Sequence, residues 1–276
     1  MSFQPVIPLG GLGGWRFLQR TQENQQETFA ASARLQRDVA HFRDRIGDIG
    51  TAADLVEDRR LLRVALGAFG LQDDINNTFF IRRVLEDGTL DRTALANRLT
   101  DRRYRAFSEA FGFGNAPLPP ATIGPGFADR IIEAYETRQF EVAIGRQDSN
   151  MRLALGAQRE LAELAENGGT EKARWLTVMG TPPLRSVFET AFGLPESFGA
   201  LDLDRQLAGF RDRSQRAFGE DSIAQFADPE KRDALIRRFL ARAELQTGGG
   251  APALPQSPAL QILQSGARPG GDLGLL

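Results

Sequence analysis

The residues that could do chemistry are few, and their spacing argues against a site built from neighbours. The single histidine, His41, follows Asp38 by three positions, and no other imidazole exists in the chain. Three-residue spacing puts both on one helix face, but a carboxylate-bridged di-iron bundle needs two Glu-x-x-His pairs and two further glutamates. One copy with Asp cannot build it, so His41 reads as a partly exposed helix-face residue. No serine or aspartate stands in a recognisable nucleophile or triad motif. Glutamates gather at Glu133, Glu136 and Glu141 and at Glu160, Glu163 and Glu166. The second trio shares one helix face, where like charges stay hydrated, and a magnesium site would need ligands from a facing helix. The run Gly10-Gly11-Leu12-Gly13-Gly14 lacks a preceding strand. It carries Arg16 where the last glycine of a dinucleotide loop belongs, and no Gly-Lys-Ser/Thr follows it. No catalytic, cofactor-binding or metal-ligating set is expected.

Charge narrows the partners. The 34 basic and 36 acidic residues leave a net charge of -2, and lysine occurs only at Lys172 and Lys231. The arginines come in short pairs (Arg59-Arg60, Arg82-Arg83, Arg102-Arg103, Arg237-Arg238) separated by carboxylates, the pattern of a solvated helix face. A basic stripe for nucleic acid and a polybasic cluster for a membrane surface are both missing. No run approaches the roughly 20 apolar residues that span a bilayer. With no cysteine there are no disulfides or thiolate metal sites. The start, Met1-Ser2-Phe3-Gln4-Pro5, has no signal-peptide pattern. A cytoplasmic protein is expected, and any export would need a route without a cleaved signal.

The elements that would have to position any site read as helices throughout. Residues 1–20, rich in Gly and Pro, read as an extended arm whose aromatic residues dock on the body, with Trp15, Phe17 and Leu18 also candidate contacts for a partner. A helix follows from about Gln22, with Leu35, Val39, Phe42 and Ile46 on one face. Thr51, with Asp54 three residues on, caps a helix running through Leu55, Leu62 and Leu66 to Phe69. Asp73 or Asp74 caps Ile75 to Leu85, whose inner face offers Ile75, Phe79, Phe80 and Val84. Shorter helices follow at 92–99 and 102–111. Pro117, Pro119, Pro120 and Pro125 mark residues 114–126 as a connector. Beyond it a long helical stretch, 127–166, breaks near Gly145–Ser149. Thr170, Pro182-Pro183, Asp202 and Asp228-Pro229 then open four more helices. Nowhere do β-branched and polar residues alternate over five positions. The fold class is therefore all-α, about ten helices in two subdomains, 21–113 and 127–246. The tail 247–276 is too poor in apolar residues to offset its ordering entropy, so disorder is expected there. Its one apolar cluster, Leu260, Ile262 and Leu263, is a further candidate contact.

Ala-Phe-Gly occurs four times, ending at Gly70, Gly112, Gly193 and Gly219, and in the first three copies Leu71, Phe113 or Leu194 follows. This is a helix-stop pattern: glycine takes the left-handed conformation and the next apolar residue folds back on the last turn. Leu61 to Leu71 and Leu184 to Leu194 share the longest match. Internal duplication of a helical unit and convergence on a common stop both account for it, and irregular spacing disfavours a solenoid.

Several stretches together resemble a known family: Met1 to Gly11, Asp58-Arg59-Arg60-Leu61-Leu62 running into Val64 to Leu71, Asp74-Ile75-Asn76-Asn77, and Trp175 to Gly180. The chain is similar over roughly residues 1–245 to alphaproteobacterial proteins defined by a domain of unknown function. Such proteins are often encoded beside flagellar genes. The resemblance implies a protein partner in flagellar assembly and brings no catalytic residue. The readings that compete with such an assembly factor are a helical enzyme with a deep polar pocket and a regulator binding nucleic acid through a pair such as Arg102-Arg103.

Overall fold

The computed structural model describes residues 3–116, 118–166 and 169–247. Within them the chain is all-α, with thirteen helices and no strand. No helix among the described residues is long and apolar enough to cross a membrane.

The N-terminus departs from the sequence reading. α1 (Gly11–Ala30) begins inside the segment expected to be an arm, and Trp15 and Leu18 are buried at 1% and 0% exposure. Their three-residue spacing is a helical stripe, and the Trp15 indole N–H finds an acceptor in Asp233 Oδ1 at 3.0 Å. Burial of that stripe outweighs the helix cost of glycine, about 1 kcal/mol each. Gly14 also serves contact: a Cβ there would stand 1.9 Å from the Leu9 carbonyl oxygen.

α2 (Ala33–Arg45) buries Leu35, Val39 and Phe42, and Ile46 follows in a short 3-10 turn. α3 (Ala52–Glu57) opens on a capping box in which Thr51 and Asp54 satisfy each other's backbone N–H groups. The helix expected to continue to Phe69 restarts at α4 (Arg59–Ala68), because Asp58 Oδ1 accepts from the N–H groups of Arg60 and Leu61 at 2.9 and 3.0 Å. α5 (Thr78–Glu86) starts later than Ile75. Asp74 is occupied elsewhere, accepting from the Tyr104 hydroxyl at 2.6 Å and from Asn77 Nδ2 at 2.7 Å. The later start turns the helix: Ile81, Val84 and Leu85 are buried, whereas Phe79, expected inside, is 84% exposed.

The short α6 (Leu95–Arg98) and α7 (Arg102–Phe111) complete the first half. α8 (Phe127–Gly145) and α9 (Ser149–Glu166) break as the sequence suggests. α10 (Glu171–Met179), α11 (Pro182–Phe192), α12 (Leu203–Phe218) and α13 (Pro229–Thr247) follow.

Two hydrophobic cores result. The first gathers α2 to α5, α7 and the opening of α8 through Tyr135. The second takes Phe140 and Ile144 from the end of α8, then α9 to α13, and also Trp15 and Leu18 from α1. The change of core therefore falls within α8, downstream of segment 114–126. That segment itself packs on the first core through Ala121, and the Thr122 hydroxyl donates to the Ile49 carbonyl at 2.8 Å. In the second core the Trp175 ring stands 5.5 Å from Phe188 and 5.9 Å from Phe210, and its N–H donates to the Asp221 carbonyl. Such ring pairs contribute about 0.5–1.5 kcal/mol beyond the area they bury.

Candidate functional site

Polar groups converge where the two cores meet. Asp38 on α2 is only 5% exposed, and its carboxylate draws in three partners. Arg63 Nη1 from α4 lies 3.2 and 3.4 Å from its two oxygens, Arg60 Nε lies 3.7 Å away, and the Tyr135 hydroxyl from α8 donates at 3.4 Å. Burial, reinforced by the Asp38 charge, pushes the Tyr135 phenol well above its ordinary range, so it stays a neutral donor. Beside this cluster opens a cavity of about 330 Å³ that Asp38, Arg63 and Tyr135 line together with Arg34 and Arg146. The sequence offered Asp38 only as a neighbour of His41. Arg34, Arg63, Tyr135 and Arg146 carry no local motif, and only the α2–α4–α8 packing brings them together.

His41 does not join this cluster. Its Nε2 lies 2.7 Å from Asp58 Oδ2, and its side chain is 27% exposed. Burial alone would raise the Asp58 pKa, but the N–H of Leu61, the His41 ring and the N–H of Arg60 outweigh it and hold the carboxyl below its usual range. The pair braces α2 against the start of α4.

Of the glutamate trio on α9, Glu163 and Glu166 are exposed as expected, whereas Glu160 is half-buried and engaged. Glu160 accepts from Arg138 Nη1 at 2.9 Å and lies 3.3 Å from Arg159 Nη2, which also grips the buried Glu141. No group of acidic or histidine side chains suited to a metal ion occurs among the described residues. The arginine pairs are likewise engaged: Arg59 with Asn76, Arg82 with Glu86, Arg83 with Asp87, Arg103 with Asp101, and Arg237 with Asp233.

All four Ala-Phe-Gly glycines have positive φ, at 69°, 70°, 63° and 81° for Gly70, Gly112, Gly193 and Gly219. Two closures differ in detail. At Gly70 and Gly193 the following leucine N–H reaches back to Leu66 and Glu189, both at 2.9 Å, in the double bond of a Schellman ending. Gly112 and Gly219 make the single bond, to Ser108 and Gln215.

Of the candidate partner contacts, Trp15 and Leu18 dock on the body as core residues and are closed to a partner, and Phe17 is half-buried. Their indole acceptor and seat lie on α13, some two hundred residues away in sequence, which no local pattern signals. Leu260, Ile262 and Leu263 lie outside the described residues. Phe79, with the neighbouring Arg82, Arg83 and Glu86 on the exposed face of α5, is the aromatic that the structure leaves uncovered.

Comparison with solved structures finds the crystal structure of protein AGR_C_984 from Agrobacterium tumefaciens. It is 26% identical, with a TM-score of 0.70, covering 89% of this chain and 100% of that one. No curated protein matches. The family described as "Protein of unknown function (DUF1217)" matches residues 68–231, from the first helix stop into α13 and across more than half of the sequence. The chain belongs to the DUF1217 family.

Proposed function

We propose that this chain is a non-catalytic docking protein of flagellar assembly that offers the exposed face of α5 to a protein partner. The observation that carries the reading is Phe79, 84% exposed on the first turn of the helix. A phenylalanine left in water forgoes about 1.5–3 kcal/mol of burial, which a partner's pocket would recover. Aromatic and arginine side chains are also the residues that most often anchor protein interfaces. Beside the ring, Arg82 Nε lies 2.6 Å from Glu86 and Arg83 Nε 3.0 Å from Asp87, so the flanking charges are held in place before any partner arrives. The flagellar setting is supported by the resemblance to proteins often encoded beside flagellar genes.

The test is genetic. Deleting the gene in a motile bacterium that carries it should reduce swimming in soft agar and shorten or remove filaments. Wild-type protein should restore both, whereas Phe79→Ser, folded as judged by circular dichroism, should not. Unchanged swimming on deletion overturns the flagellar role, and full rescue by Phe79→Ser overturns the role of α5.

A further inference from the structure

The cavity at the core junction is walled on one side by the N-terminal segment, through Phe3, Gln4 and Pro5. This N-terminal segment is held down by two glutamine amides that pair with its backbone much as a neighbouring strand would. Gln25, 9% exposed, accepts from the Val6 N–H at 2.7 Å and donates to the Val6 carbonyl at 3.3 Å. Gln147 donates to the Pro5 carbonyl and accepts from the Ile7 N–H at 3.4 Å. Gly14 lets the strap continue, since any side chain there would collide with the Leu9 carbonyl.

Inside, the lining is divided. Phe29, Leu35, Val142 and Ala143 supply apolar surface, and the charged groups are Asp38, Arg34, Arg63 and Arg146. Asp38 is already matched by Arg63, with Arg60 behind it. Arg34 and Arg146 are exposed and form no ion pair among the described residues, so the cavity carries uncompensated positive charge at its rim. At about 330 Å³ it lies within the range of small-molecule sites, roughly 300–1,000 Å³. No residue of α5 lines it, so it stands apart from the docking face.

We propose that this cavity binds a small amphipathic monocarboxylate, its apolar body against Phe29, Leu35 and Val142 and its carboxylate toward Arg34 and Arg146. Guanidinium groups favour carboxylates through charge-assisted, two-pronged hydrogen bonds, and the apolar side of the lining gains nothing from an ion that brings no hydrocarbon with it. Both halves of the ligand are therefore needed.

The probe is decanoate, titrated into the full-length protein by calorimetry, with 1-decanol supplying the body without the charge and acetate the charge without the body. Decanoate should saturate a single site, and decanol and acetate should each bind at least tenfold more weakly. Val142→Phe, which fills the cavity, should abolish decanoate binding. Arg34→Gln/Arg146→Gln, at two exposed positions where folding is not at stake, should weaken it at least tenfold, toward the level of decanol. The proposal is overturned if wild-type protein shows no saturable decanoate binding. It is equally overturned if decanol binds as tightly, or if the double arginine variant, with unchanged circular dichroism, binds as well as wild type.

Discussion

Arg159 is the residue whose loss most sharply tests how this fold is held. From α9 its Nε lies 2.9 Å from Glu141 Oε1 and its Nη2 3.2 Å from Oε2, a two-pronged grip on a carboxylate of α8 that is only 7% exposed. Nη2 also lies 3.3 Å from Glu160 and Nη1 3.9 Å from Glu163. Burial opposes the charge on Arg159, but the attraction of Glu141, then Glu160 and Glu163, outweighs it and raises its pKa above the ordinary arginine value. Arg159→Met keeps much of the side-chain length and removes the charge. Glu160 retains Arg138, but Glu141 is left buried without its partner. Breaking one side of such a pair costs about 3–5 kcal/mol. At about 2–4 °C per kcal/mol for a chain of this size, Tm should fall by roughly 6–20 °C. Urea unfolding followed by circular dichroism reads the change directly. Adding Glu141→Gln should recover more than half of the loss, because a neutral amide is cheaper to bury than an unpaired carboxylate. A loss below about 1 kcal/mol for the single variant would place the pair among ordinary surface ion pairs. A double variant as unstable as the single one would also refute the argument.

Three further outcomes follow from local geometry. Gly219→Ala, at φ 81° with nothing within 4 Å of the new Cβ, should cost only the left-handed backbone penalty, about 1–2 kcal/mol. Gly88→Ala, at φ 64°, also drives its Cβ to 2.6 Å from the Gly114 carbonyl and should cost clearly more; equal urea midpoints would refute the comparison. Thr51→Ala, which removes the capping box of α3, should destabilise by about 0.5–2 kcal/mol, and a neutral result would show that the box is idle. The Asp58 pKa is lowered in the folded state, so its contribution is present above the unfolded value near about 4 and lost as pH falls through the folded one. Asp58→Asn should therefore be less stable than wild type at neutral pH, with the gap narrowing in acid. A gap that is constant with pH would disprove the linkage.

What the sequence disclosed was whatever is encoded within about one helical turn. The seam Leu35, Val39, Phe42, Ile46, the box at Thr51 and Asp54, and the caps at Thr170 and Asp202 are local periodicities or local hydrogen bonds, and the structure contains each. What stayed hidden depends on distant partners. The glycine-rich start looks like an arm until Asp233 and Glu244 of α13 are placed beside α1. Phe79 reads as interior when the helix starts at Ile75, but with Asp74 committed to Tyr104 on another helix the helix starts at Thr78. The junction cavity was illegible for the same reason, since its lining comes from the N-terminal strap, α1, α2, α4 and α8.

The arginine usage makes best sense in the same terms. Along the sequence the arginines suggest only solvated faces, yet several of them close helix ends. Arg103 Nη1 donates to the Gly70 carbonyl at 2.5 Å, Arg138 Nε to the Ala68 carbonyl at 2.7 Å, and Arg238 Nε to the Ala191 carbonyl at 2.8 Å. These acceptors lie in the first and third Ala-Phe-Gly stops, where the helix leaves carbonyls without internal partners and the dipole favours a cation. Arg103 simultaneously binds Asp101, and Arg138 binds Glu160, so each guanidinium joins a helix terminus to a carboxylate elsewhere. A lysine ammonium is a single point charge and lacks the planar fork that spans two such acceptors in fixed geometry. The glycine stop and the arginine donor are thus two parts of one joint. The glycine is local and visible in the sequence, whereas the arginine arrives from α7, α8 or α13 only when the chain has folded.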